Sequence, residues 1–343
     1  MKRIALILAS IIFCLTAISC AAKGKTADSD ADSTQTTAES VAETEPRPEA
    51  TDGLKYRLNE KKTGYVLYGL GEMINRRIIS VPETYEGLPV VEVVSDTFSF
   101  GSMDEVWLPD SVTRIEQNAF IHSQVVKVVL PSGLKKIEAS TFDGCKALKM
   151  IVLPQSLTTI CRGAFAGCTA LQTLALPASV RTIEEHAFKD CTDLRSVTFA
   201  DGIGSLTMGE GVFRGCTWLR SVDFGNSAKV TKLPEKLFSQ CTSLTKISLP
   251  QGIKTIGRDA FFQTCLAEIE LPGTITSIAE MAFCDCTHLT TVRFNGTQTD
   301  FRAACNGNPN APFSIWNSQE STQVSVICTD GTIVIQTERF SYD

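Results

Sequence analysis

The chain has 343 residues, 43% of them hydrophobic, and a formal net charge of −6 at pH 7. That is length enough for one large core, while the mild acidity gives no electrostatic footprint for nucleic acid. It contains neither a Gly-rich phosphate loop nor a dinucleotide fingerprint, so neither a nucleic-acid partner nor a cofactor is expected.

The N-terminus sets an address. Lys2 and Arg3 precede an apolar run from Ile4 to Ile18, then small residues and Cys20. A positive start and an apolar core of about 15 residues read as a secretory signal; a membrane span needs about 20. Ala17-Ile18-Ser19-Cys20 resembles a bacterial lipobox, which implies cleavage before Cys20 and a diacylglycerol on its thiol. Residues 1–19 are then the lipoprotein signal, and Cys20 anchors the protein in a membrane of the bacterial envelope. The other reading is an ordinary signal that ends by chance in a cysteine. Residues 21–53 hold eight acidic and three basic residues and almost no large apolar one. Such a segment cannot bury enough surface to fold, so 20–53 is expected to be a disordered acidic tether spanning roughly 30 Å. Residues 54–107 precede the regular part of the chain and are assigned to an N-terminal cap.

Between Leu108 and Phe294 one pattern recurs eight times. Two copies show it: Leu130-Pro131, Leu134, Ile137, Phe142, Cys145, Leu148, Ile151, Leu153-Pro154; then Leu157, Ile160, Phe165, Cys168, Leu171, Leu174, Leu176-Pro177. Anchored on Leu108, Leu130, Leu153, Leu176, Phe199, Phe224, Leu249, Leu271 and Phe294, the spacings are 22, 23, 23, 23, 25, 25, 22 and 23 residues. A period of this size points to the leucine-rich class of solenoid, whose coils bury apolar residues between neighbours and leave an extended contact surface. Each coil is expected to hold one strand, one turn and one short helical segment. In the strand, Ile151 and Leu153 turn inward and Met150 and Val152 outward. Pro after the strand has no N–H for a ladder and ends the pairing. Phe120, Phe142, Phe165, Phe188, Phe213, Phe238, Phe261 and Phe283 should stack as one aromatic ladder.

Departures from the period are assigned to edge loops: two extra residues within Thr207–Gly211 and two within Gly225–Lys229. Cys265 sits one residue late, which tightens its turn.

Thirteen cysteines need an account. Cys14 leaves with the signal. Cys145, Cys168, Cys191, Cys216, Cys241 and Cys286 are in phase with the repeat. A fixed place in every coil favours buried free thiols acting as small apolar groups. Cross-coil disulfides, which the compartment permits, and a metal array, whose ligands must converge, are the competing readings. Cys161 and Cys284 fall at varied positions and are expected to be partly exposed. Cys305 and Cys328 lie in the C-terminal cap, 295–343, and are the first choice for any disulfide. His122, His186 and His288 occupy varying positions and read as solvated surface, so no catalytic residue is assigned and an enzyme is not expected.

The repeats resemble those of the BspA-like leucine-rich-repeat surface proteins of bacteria, from about residue 78 to 335. The resemblance takes in a degenerate leading coil, Ile79-Ser80-Val81-Pro82 through Tyr85 to Val90 and Phe98. It also takes in a closing segment, Phe294-Asn295-Gly296-Thr297 and Val326 to Ile333. It implies an α/β repeat fold, a solenoid of short parallel strands, turns and short helical segments, capped at both ends, with eight regular coils over 108–294. It also implies adhesion to proteins of a host or a neighbouring cell. The strands' outward residues are the candidate binding face: Lys127 and Val129; Met150 and Val152; Thr173 and Ala175; Ser196 and Thr198; Ser221 and Asp223; Lys246 and Ser248; Glu268 and Glu270; Thr291 and Arg293. The functional expectation is a membrane-tethered surface protein that binds a protein or a glycan through this face. A non-adhesive periplasmic or envelope scaffold is the alternative.

Overall fold

The computed structural model describes residues 46–72, 76–225, 229–314 and 323–337. The signal, Cys20 and the tether as far as residue 45 lie outside the described residues.

Repetition of one apolar pattern makes each coil bury the same side chains against the next, and the chain winds into a parallel β-solenoid. Two strand ladders run along it where the sequence suggested one. The first is the expected one, built from Glu105–Trp107, Lys127–Val129, Met150–Ile151, Thr173–Leu176, Ser196–Phe199, Ser221–Asp223, Glu268–Leu271 and Thr291–Phe294. The second uses two residues per coil, among them Arg114–Ile115, Lys136–Ile137, Thr159–Ile160, Thr182–Ile183, Thr255–Ile256 and Ser277–Ile278. These pairs are rich in β-branched residues, which favour extended backbone, but two residues are too few to display an alternation. Register is strictly parallel: Ile160 faces Ile137 on one side and Ile183 on the other, and Leu174 faces Val197.

The third side of each coil is a turn, and the expected helical segments do not form there. Two residues four apart take left-handed backbone in every coil: Asn118 and His122, Ser140 and Gly144, Gly163 and Gly167, His186 and Asp190, Gly211 and Gly215, Lys236 and Gln240, Asp259 and Gln263, Met281 and Asp285, all with φ between 51° and 74°. A residue of that hand interrupts a right-handed helix. Backbone groups bond to the next coil instead: Gly163 N–H to Glu185 O at 3.0 Å, Phe165 N–H to Ala187 O at 2.8 Å, Gly167 N–H to Lys189 O at 2.7 Å. The turn is therefore a third ladder of backbone hydrogen bonds between coils. Among the described residues, helix is confined to α1, Gln298–Ala304, and one 3-10 turn, Ala311–Phe313.

The phenylalanines between the left-handed residues form the expected ladder. From Phe98 to Phe283 successive rings stack at 4.5–5.8 Å between centroids. The six in-phase cysteines are buried and free. Each thiol donates to the carbonyl of the ladder Phe one coil back: Cys168 Sγ to Phe142 O, Cys191 to Phe165 O, Cys216 to Phe188 O and Cys241 to Phe213 O, all at 3.2 Å. Ser123 and Thr264, both buried, fill the same slot in their coils. Thr264 thus takes the place that Cys265 misses by one residue.

Both insertions lie in adjacent coils, and the first is displaced from its expected place. Thr207 and Met208 pair in register with Thr182 and Ile183, so the extra residues fall before them, around Gly204 and Ser205. There Lys229 of the second insertion donates its N–H to Gly204 O at 3.1 Å, and Leu206 N–H donates to Lys229 O at 3.3 Å.

Each end is closed by different means. The hairpin Lys55–Leu58 with Tyr65–Gly69 starts the second ladder, Tyr65–Gly69 running parallel to Leu88–Val93. The last eight residues assigned to the tether are not free chain. Arg47 donates to the carbonyls of Val81, Trp107 and Leu108, and Ser80 N–H donates to Thr51 Oγ1 at 2.9 Å. Residues 46–51 thereby use carbonyls that no preceding coil could reach. At the other end Ala311–Ser314 replaces a coil: Met281, Phe283 and Asp285 donate their N–H groups to Ala311, Pro312 and Ser314, and Phe313 stacks on Phe283 at 5.3 Å. The hairpin Gln323–Cys328 with Gly331–Gln336 completes the first ladder.

Phe188→Ala should lower stability by about 3–5 kcal/mol in urea unfolding, through the cavity it leaves between two rings. Cys191→Ser should cost no more than about 1 kcal/mol, because the Phe165 carbonyl is in place to accept its hydroxyl. A larger loss would mean that sulfur volume, not the hydrogen bond, holds this position. Burial pushes the Cys145 and Cys286 thiols up from an ordinary 9.0 to about 12. A raised thiol pKa favours the native state only while the unfolded thiol stays protonated. Stability should therefore fall as pH rises from 9 towards 12, and thiol reagents at pH 8 should label the ladder only after unfolding.

Candidate functional site

Parallel registry sets the outward strand positions in two straight rows along the first ladder. In the first row Met150 pairs with Lys127, Thr173 with Ser196, Ser196 with Ser221, and Glu268 with Thr291. The inward positions Val128, Leu174, Val197, Val222, Ile269 and Val292 are all buried. Packing fixes the inward rows; the outward rows are free to change character.

That character runs in three stretches. At the N-terminal end Lys127 Nζ lies 4.7 Å from the Trp107 ring centre and 4.0 Å from Glu105 Oε2, so part of this end is covered by its own side chains. Val129 beside it is half-buried. Met150 and Val152 are open, at 46% and 38% exposure. Through the middle, Thr173, Ala175, Thr198, Ser221 and Asp223 are exposed and Ser196 is half-buried. Lys246 and Ser248 are exposed as well, although 246–248 is not a strand. At the C-terminal end the charges answer one another: Arg293 Nε stands 3.9 Å from Glu268 Oε2, and Asn295 Nδ2 donates to Glu270 Oε1 at 2.9 Å. Thr291 between them is half-buried.

Three neighbours of this face were not assigned from sequence. Ile327 pairs with Arg293 and is 37% exposed, and Val334 on the last strand is 54% exposed. Both extend the face through the closing hairpin; the alternation from Val324 to Cys328 carried the signal, but cap residues were not read as strand. Trp218 lies off the strands, 44% exposed, with the Arg220 guanidinium 5.5 Å from its ring.

The remaining chemically capable residues are dispersed. His122 is exposed against the Phe100 ring at 5.4 Å, and His288 is exposed beside Thr287. His186 departs from the expected solvated position: it is half-buried with φ 58°, and its Nδ1 has no hydrogen-bond partner. Cys161 and Cys284, expected to be partly exposed, are buried at 3% and 0%. Burial pushes the Cys161 thiol up to about 11, which leaves little thiolate for nucleophilic chemistry. Cys305 and Cys328, the first choice for a disulfide if one formed, are both buried and free. Among the described residues no group of three or more His, Cys, Asp or Glu could hold a metal ion.

The family model of the BspA type leucine-rich-repeat region matches residues 91–217 and 206–310. Similar solved structures include a leucine-rich-repeat protein of T. pallidum, 25% identical, with 69% of this chain and 88% of that one covered and a TM-score of 0.44. A leucine-rich cell surface protein of Faecalibacterium prausnitzii is 23% identical, covering 77% and 98% at a TM-score of 0.38. The pneumococcal vaccine antigen PcpA is 17% identical, covering 79% and 93% at a TM-score of 0.45. No curated protein matches the chain. With the family model spanning most of the solenoid, the chain belongs to the BspA-type leucine-rich-repeat family.

Proposed function

We propose that this is a lipid-anchored envelope protein that recognises another protein through the outward face of its first strand ladder, in the manner of an adhesin. The observation that carries the reading is the contrast within that ladder. Inward residues are fixed by coil-to-coil packing, whereas outward residues change from apolar to hydroxylated to charged along one continuous surface. The open pair Met150 and Val152, next to Val129, is the part least accounted for by solvation, and apolar residues grouped on an otherwise polar surface favour contact with a partner. The lipobox-like Ala17-Ile18-Ser19-Cys20 supports an anchor on the Cys20 thiol.

Residues 46–343 immobilised on a support should capture a protein from host or neighbouring-cell surface extracts. Changing Val129 and Val152 to Glu should weaken that capture by about tenfold or more and leave the thermal midpoint nearly unaltered. If capture survives while changes at Gly204–Leu206 or Lys229 abolish it, recognition belongs to the insertion edge. In cells, Cys20→Ala should move the protein from the membrane to the soluble fraction or accumulate the unprocessed precursor. Protease shaving of intact cells should remove the solenoid; full protection would favour the envelope-scaffold reading.

A further inference from the structure

On the turn side, away from the strand face, four successive coils line an open cleft of about 320 Å³, with Arg214, Lys236, Ser239, Gln240, Arg258, Asp259, Phe262 and Met281 on its walls. That volume lies in the range of small-molecule sites. Four of these residues, Lys236, Gln240, Asp259 and Met281, are the left-handed residues of their coils.

The chemistry of the lining is uneven in a useful way. Three cations surround one carboxylate. Lys236 is held by Glu210 at 2.6 Å, and Arg258 Nε stands 3.7 Å from Asp259 Oδ2 while its Nη2 meets only the Met281 sulfur, at 3.0 Å. Arg214 makes no ion pair or hydrogen bond through its side chain among the described residues. Ser239 is 4% exposed, and among the described residues its hydroxyl, which reaches the cleft, makes no hydrogen bond to protein. A ligand hydroxyl can pair with it in place of water. Phe262 and Met281 supply an apolar floor.

We propose that this cleft binds an acidic sugar, a ring carrying one carboxylate and several hydroxyls. The Arg214 guanidinium offers the planar fork that suits a carboxylate. Asp259 accepts, and Ser239 and Gln240 both donate and accept, which matches hydroxyl groups. The Phe262 ring and the Met281 thioether receive the apolar face of the sugar. Asp259 needs a donor from the ligand, which a sugar hydroxyl supplies and a fully ionised phosphate or polyanion does not. An acidic peptide brings backbone N–H groups but no ring of hydroxyls to meet Ser239, Gln240 and Asp259 together. The site is separate from the protein-recognition face and stands whether or not that face binds a partner.

Calorimetric titration of the full chain with methyl glucuronoside, methyl glucoside and an N-acetylglutamate amide tests the assignment. Saturable binding of the glucuronoside is expected, with the other two at least about tenfold weaker. Arg214→Ala and Arg214→Gln should each lose at least about tenfold in affinity with an unchanged thermal midpoint. Asp259→Asn should also weaken the glucuronoside. Arg162→Ala, on the same side but paired with Glu185, should not affect it. Equal binding of glucoside and glucuronoside, equal binding of the glutamate amide, absence of saturable binding, or full affinity in both Arg214 variants would each overturn the proposal.

Discussion

When a chain stacks coil on coil in parallel register, every residue faces its own counterpart in the next coil, about 4.8 Å away where strands pair. The rest of this structure depends on that constraint. A side chain is tolerated on the inside only if it packs against the residue at the same place in the next coil, a copy of itself or one of similar shape. Phenylalanine does so by stacking, and the closest agreement in ring orientation is the 2° between Phe165 and Phe188 and between Phe261 and Phe283. Ile and Leu do so by interdigitation along the two strand ladders. Backbone groups meet the same demand on all three sides of the coil, where N–H groups of each side reach carbonyls one coil away.

The cysteine slot is a consequence of this geometry rather than a redox feature. The position lies three residues after the ladder Phe, where the chain leaves the turn, and it faces the Phe carbonyl of the preceding coil. A small side chain with one weak donor fits it. Cys fits it, and so do Ser123 and Thr264, whose hydroxyls bond to Gly101 O and to the Cys286 sulfur instead. Burial then raises the thiol pKa at Cys145, Cys168, Cys216, Cys241 and Cys286.

The ends and the outer surface escape the constraint, and variety collects there. With no coil beyond it, each end borrows a substitute: Arg47 and Thr51 at one, Ala311–Ser314 and a hairpin at the other. Outward side chains are not held between coils and can differ from one coil to the next. This is why the strand face passes from Met150 and Val152 to Glu268 and Glu270, and why Arg214, Ser239 and Asp259 can meet on the turn side without disturbing the Phe ladder beneath them.

Sequence alone determined what the repeat imposes on every coil: the solenoid, the inward Phe and Cys ladders, and which strand residues point outward. Those features recur at a fixed period, so eight copies speak for one another. Tertiary structure decided what no single coil displays. The second strand ladder has only two residues per coil and becomes a strand through pairing with its neighbours. The turn replaces a helix because Asn118, His186, Lys236 and Met281, which are not glycine, accept left-handed backbone once the next coil fixes their hydrogen bonds. The place of the first insertion follows from Thr207 pairing with Thr182, a registry invisible in spacing alone. The packing of residues 46–51 and the cleft at Arg214 arise from side chains that are distant or unequal in sequence. A repeat pattern reports the average coil, whereas caps, insertions and clefts are made by departures from it that only stacking brings together.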